Sequence, residues 1–242
     1  MLRFAIIASV GLVAQVAAAD PATDRVVGAP TAWLPTAGTV VASVGVDSHA
    51  KALAELAYGL GGIAEVEVGA DSDVRQCSIA SCSGSPAPES YLARAQFRVG
   101  ARQNAWFEGQ PALVLGVRAT IGSELRAADA YVVASRRLGP ATLHAGLGEL
   151  CALDAGIKSA PIVRPSFGLE IVPPPYPKSS LIADLAWMPK LELGKPTSEY
   201  VFDWGVRYQT FPWGTVELAV RHREAEFGSP TVMVRFTAVL SP

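Results

Sequence analysis

The chain has 242 residues, 50% of them hydrophobic and only 17% charged, with a formal net charge of −2 and a pI near 5.9. Soluble domains carry roughly 25% charged residues, so the apolar surplus here needs a place to go other than a water-facing surface. The near-neutral balance, without a Lys/Arg cluster, excludes nucleic acid as a partner.

Residues 1–19, MLRFAIIASVGLVAQVAAA, place one Arg before an apolar core and an Ala-x-Ala exit. That three-part pattern predicts a secretory signal peptide cleaved after Ala19. Residues 20–37 hold three Pro and no periodicity, and are expected to form a periplasmic lead-in with Trp33 at the membrane edge. Beyond Ala19 there is no apolar run of the ~18 residues that a transmembrane helix needs. A mature protein in a membrane must then be a closed barrel, because only helices and closed barrels satisfy their backbone in lipid.

From Gly38 onward apolar residues fall on every second position in one segment after another, the signature of strands with one greasy and one wet face. Val40, Ala42, Val44 and Val46 share a face; Ala52 to Tyr58 and Ala64 to Ala70 follow, joined by Gly59, Gly61 and Gly62. KALAELAY competes as a helix on propensity, but the glycines and the alternation after it favour a hairpin. Residues 73–89, rich in Ser, Pro and Gly, predict a loop; Cys77 and Cys82 within it suggest a local disulfide in an exported protein, with Cys151 left over.

Strands are then expected at Tyr91–Gly100, Ala112–Thr120, Asp129–Arg137, Thr142–Leu150, Val163–Val172 and Ser180–Met188. The sixth is ambiguous, since Tyr131, Val132 and Val133 are apolar on both faces. Three more complete the chain, with Tyr200, Phe202, Trp204, Val206 and Tyr208, then Val216, Leu218 and Val220, then Val232 to Leu240, as their apolar rows. The prediction is all-β: a transmembrane antiparallel up-and-down β-barrel of about twelve strands over residues 38–242, an even number as such barrels use. Connections after even strands are mostly short; those after odd strands, including 73–89, the segment around Cys151, LELGKPTS and REAEFGSP, are mostly longer. This assigns the short ones to the periplasm and the long ones, with all three Cys, to the exterior.

The runs FGLEIVPPPYPKSSLIADLAWMP (167–189) and FDWGVRYQTFPWGTVELAVRHRE (202–224) resemble the YjbH-like outer-membrane barrels linked to exopolysaccharide export. The resemblance implies a Gram-negative outer-membrane location and envelope-export or polysaccharide partners; it carries over no individual residue. One departure is the ending TAVLSP, where many such barrels carry a terminal aromatic.

The alternation points Glu65, Glu67, Arg94, Arg98, Arg118, Arg164, Glu170, Asp184, Asp203, Arg207, Glu217, Arg221 and Arg235 into the lumen, with Lys51 and Glu55 beside them. Both signs occur in near-equal number, so these side chains either cross-pair into a plug or line a narrow polar pore, one without strong ion selectivity unless the signs segregate. Catalysis is not expected: His49 next to Ser48 is the best pair in sequence, and no third group is evident. No metal or other cofactor is called for. Three functions remain in view: porin-like passage of small polar solutes or a part in exopolysaccharide export; a closed structural or adhesive barrel whose exterior loops bind a partner; and a secreted soluble β-sandwich with the apolar rows turned into its core.

Overall fold

The computed structural model describes residues 25–48, 51–71, 75–77, 92–121, 126–152, 161–192, 195–224 and 227–242. The signal peptide, His49, Cys82 and hence the Cys77–Cys82 pairing lie outside the described residues. The strands are β1 (Val40–Asp47), β2 (Ala52–Gly59), β3 (Ala64–Asp71), β4 (Arg75–Cys77), β5 (Leu92–Ala101), β6 (Ala112–Ile121), β7 (Arg126–Leu138), β8 (Ala141–Ala152), β9 (Ile162–Ile171), β10 (Ser179–Glu192), β11 (Lys195–Phe211), β12 (Gly214–Arg223) and β13 (Thr231–Leu240).

Twelve of these follow one another round a ring, β1-β2-β3-β5-β6-β7-β8-β9-β10-β11-β12-β13, each antiparallel to its neighbours. β13 returns to β1 over eight positions, from Val40 opposite Leu240 to Asp47 opposite Met233. The closed antiparallel barrel of twelve strands is therefore present. Closure gives every one of the twelve strands a neighbour on both sides, which is the condition for a sheet to sit in lipid.

Alternation dictates the two faces. On β6, Leu115 is 62% exposed and Val117 55%, whereas Val114, next to Leu115 on the opposite parity, is 1% exposed. The same parity holds on β11, where Phe202, Trp204, Val206 and Tyr208 point out while Val201, Asp203 and Arg207 are buried. A soluble sandwich would show the reverse, with the large apolar side chains covered. The ambiguous β7 resolves by volume: Tyr131 and Val133 point inward and Val132 outward. The Tyr131 ring lies over Gly116 of β6, where a Cβ would come within 2.2 Å of it.

Three connections differ from expectation. LELGKPTS is no loop: β10 and β11 run on as a hairpin until Glu192 pairs with Lys195. Its Pro196, like Pro189 just before it, reads as a breaker, but both fall in the ladder, opposite Leu191 and Ser198. Residues 75–77 form the short β4, parallel to β10 at Lys190–Glu192. Cys151 belongs to β8, on its outward face and exposed.

The largest difference concerns the lead-in. Residues 25–37 do not lie beneath the barrel but inside it. From the end that carries the short turns, where the Gly38 N–H donates to Gly59 O at 3.0 Å, the segment rises between the walls to a tight turn at 26–29, closed by the Val26 N–H donating to Ala29 O at 2.9 Å. Arg25 and Pro30 bridge across that turn. Val26, Ala29, Thr31 and Ala32 are all buried.

Candidate functional site: the occupied lumen

The inner wall is stitched by cross-strand ion pairs. Arg98, fully buried, makes a two-pronged contact with Glu65 (Nε–Oε1 2.8 Å, Nη2–Oε2 2.7 Å). Arg221 grips Asp203 the same way (2.9 and 2.7 Å), and Arg223 meets Glu199 at 2.6 Å. Glu217 sits between Arg207 (2.9 Å) and Arg235 (2.8 Å), with Glu170 a further 3.4 Å partner of Arg207. Arg94 bridges Glu55 and Glu67, and Gln96 donates to Glu67 at 2.9 Å. Asp129 takes Arg118 at 2.7 Å and Arg164 at 3.3 Å. Glu65, Glu67, Arg94, Arg98, Asp184, Asp203, Arg207, Glu217, Arg221 and Arg235 are buried on the inner wall, and Arg118, Arg164 and Glu170 join them through these pairs. The signs interleave, so each buried carboxylate or guanidinium has an opposite charge to offset its desolvation; the exception is Asp184.

Asp184 meets no arginine at ion-pair distance among the contacts described. Its Oδ2 instead accepts three consecutive backbone N–H groups of the inserted segment, from Val27 (2.7 Å), Gly28 (2.9 Å) and Ala29 (3.2 Å). Other wall groups complete the seat. Arg207 and Arg235 donate to Val26 O at 2.6 and 3.3 Å. Arg98 donates to Thr31 O at 3.0 Å and Trp33 O at 3.3 Å. The Ala32 N–H donates to Ser135 Oγ at 2.7 Å. The side chain of Arg25 reaches Glu55 at 2.9 Å. Backbone groups that would otherwise be orphaned away from water are satisfied by the wall.

Apolar contacts fill between these bonds. Val26 and Val27 pack with Ile182 and Ala219, Ala29 with Ala186, Met188 and Val201, and Ala32 with Ala112, Val114 and Val133. Two glycines make the approach close enough. A Cβ on Gly168 of the wall would meet Val26 at 2.6 Å, and one on Gly28 would meet Met188 at 2.5 Å and Asp203 at 2.9 Å. Trp33 is not at the membrane edge; its ring stands edge-on to His144 at 6.3 Å with the Arg137 guanidinium 5.7 Å above it.

The segment divides what remains of the lumen. One cavity of about 60 Å³ lies against β6–β10 and another of about 50 Å³ against β1, β2, β12 and β13, and both touch Arg25. His144 Nδ1 is 2.7 Å from Ser135 Oγ, but that hydroxyl is buried under Ala32, so the pair serves as an anchor and not as an exposed nucleophile. His222 lies on the lipid side, against Phe202 and Phe227. Among the described residues no group of three His, Cys, Asp or Glu is placed to hold a metal ion.

Sequence reasoning missed Asp129, Glu199, Arg223, Ser135 and His144 as lumen groups, and the inserted segment altogether. One signal was available. Val114, Ile182, Met188 and Val201 are apolar residues on the wet parity of their strands, and an apolar residue facing a lumen needs something apolar opposite.

An apolar exterior, a charged interior and a sheet without edges define a transmembrane β-barrel of the outer-membrane type. No family model matches this chain, and no curated protein does so either. Among solved structures the fold is similar to the KdgM porin, with a TM-score of 0.57 at 7% identity over 83% of this chain and 98% of that one. It is also similar to the KdgM porin in complex with disordered oligogalacturonate, with a TM-score of 0.55 at 6% identity, covering 84% and 99%. A membrane protein from work on in-meso crystallization aligns at 0.52 and 12% identity, covering 84% and 83%. These likenesses establish the porin-type barrel fold.

Proposed function

We propose that this chain is an outer-membrane barrel giving porin-like passage to small polar solutes, with residues 25–37 as the element that closes it. The observation that carries this reading is the seat of the segment. It is held by some eight hydrogen bonds between wall side chains and its backbone, in a lumen where the wall charges already pair with one another. Withdrawing it exposes a polar bore whose ion pairs persist. Planar-bilayer recording tests this: brief openings are expected for the native chain, and long-lived ones when the anchors are removed. Liposome swelling with neutral sugars and with oligogalacturonate, the ligand seen with the KdgM porin, then reads the solute class. A part in exopolysaccharide export is a narrower form of the same proposal and rests on the YjbH-like resemblance of residues 167–189 and 202–224.

A second reading, a closed structural or adhesive barrel whose exterior connections bind a partner, is favoured by the same occupied lumen. It expects no current from either the native chain or the anchor variants.

A further inference from the structure

The ring of ladders has one incomplete seam. β9 pairs with β8 along its whole length, from Ala141 opposite Ile171 to Leu150 opposite Ile162. Its pairing with β10 stops at Ser166 opposite Ala186. On β9 the stretch Ile162–Pro165 thus has no partner on that side. On β10 the uncovered stretch is Trp187–Pro189, because β4 takes the same edge from Lys190 to Glu192. The window is roughly 10 Å long at ~3.3 Å per residue.

Its cause is written in the chain. The Val172 N–H donates to Pro140 O on the β8 side, so even residues of β9 address β8 and odd residues address β10. The Gln209 N–H donates to Lys178 O, which sends the even residues of β10 to β11 and the odd ones to β9. The next two hydrogen-bonded pairs of the seam would be Trp187 with Pro165 and Pro189 with Val163. Each contains a proline, which has no N–H to give.

Behind this window lies the cavity against β6–β10. Arg25, Arg118, Arg164, Gln96, Tyr131 and Ser166 supply its polar lining, and among the described residues no carboxylate is part of that lining, although Arg25 meets Glu55. Asp129, the partner of Arg118 and Arg164, stands outside the lining. On the other side the cavity reaches Leu147, Pro165 and Trp187, which belong to the outward row; Leu147 is 52% exposed to the lipid side. An arginine-lined recess, in which Arg118 and Arg164 share the single carboxylate of Asp129, thus meets the bilayer through a gap in the wall, while the inserted segment bars the axial route toward the short-turn end.

We propose that the β9–β10 seam is a lateral portal through which an anionic amphiphile places its head group, a carboxylate or phosphate, among Arg118, Arg164 and Arg25 while its chain stays in the bilayer. The proposal shares with the function above only the membrane setting, and does not require the axial channel to open.

The test uses the full chain in phosphatidylcholine vesicles with a long-chain fatty acid that carries a diazirine, its alcohol analogue, and a short water-soluble carboxylate as competitor. Photolabelling by the acid is expected at the peptides around Leu147, Pro165 and Trp187 in excess of labelling by the alcohol. Pro165→Val restores a donor to the seam and is expected to cut that excess roughly tenfold. The triple variant Arg118→Gln/Arg164→Gln/Asp129→Asn, which removes the cations together with their shared partner, is expected to do the same. Retained heat-modifiable gel mobility shows that each variant folds. Equal labelling by acid and alcohol overturns the portal. So does protection by the short carboxylate that is the same in native and Pro165→Val protein, which would make the cavity a site for free anions from water. Absence of current in planar bilayers bears on the channel alone, so the two readings fail in different measurements.

Discussion

Replacing Asp184 by Ala removes the acceptor of three N–H groups, those of Val27, Gly28 and Ala29, without touching any residue of the inserted segment. A buried hydrogen bond of this kind contributes about 1 kcal/mol net. Water entering the neighbouring cavity takes up part of the loss, and removing one of two adjacent carboxylates, Asp184 beside Asp203, relieves some repulsion in the wall. The three bonds together are worth about 3 kcal/mol, and after those offsets the seat should weaken by about 2 kcal/mol, which is roughly a 30-fold change in the ratio of seated to withdrawn segment. Single-channel recording measures that ratio directly as open probability. A protein whose Asp184→Ala variant folds, shifts on gels with heat, and shows the open probability of the native chain would refute the idea that these bonds hold the barrel shut. A rise in open probability accompanied by loss of the heat shift would instead mean that the wall itself had failed.

Gly28→Leu attacks the same seat from the other side: its side chain would collide with Met188, Arg221 and Asp203, and raised conductance with unchanged barrel stability is expected in the same recordings. Arg98→Met leaves Glu65 buried without its two-pronged partner and should cost about 3–5 kcal/mol in urea-induced unfolding from detergent, most of it recovered in the double variant Arg98→Met/Glu65→Gln. Leu115→Arg puts a charge on the outward face of β6, where lipid contact makes it cost about 2–4 kcal/mol. If that substitution proves neutral in refolding into bilayers, the assignment of the outer face to lipid is wrong.

The local pattern revealed the barrel because its rule is local: each strand alternates by itself, and Glu65, Arg98 or Asp203 can be assigned inward from their immediate neighbours. Hydrogen-bonding side chains such as Ser135 and His144 escaped for a different reason, as neither is charged, and Ala32, whose N–H Ser135 accepts while bonded to His144, lies on another part of the chain. The hairpin at 189–198 was hidden by Pro189 and Pro196, which punctuate most sequences but here fall within paired strands. The inserted segment was invisible because it has no regular structure of its own. Val26 to Ala32 is recognised chiefly through backbone carbonyl and amide groups, which every residue carries, by side chains 67 to 209 positions downstream.

Those separations also bear on biogenesis. Arg98 arrives first in synthesis and Arg235 almost last, so the segment cannot acquire its complete set of holders until nearly the whole polypeptide has been delivered, and the final strand must zip onto β1 immediately after it. The strand that shuts the wall against β1 thus also supplies, through Arg235, the last grip on what lies within it.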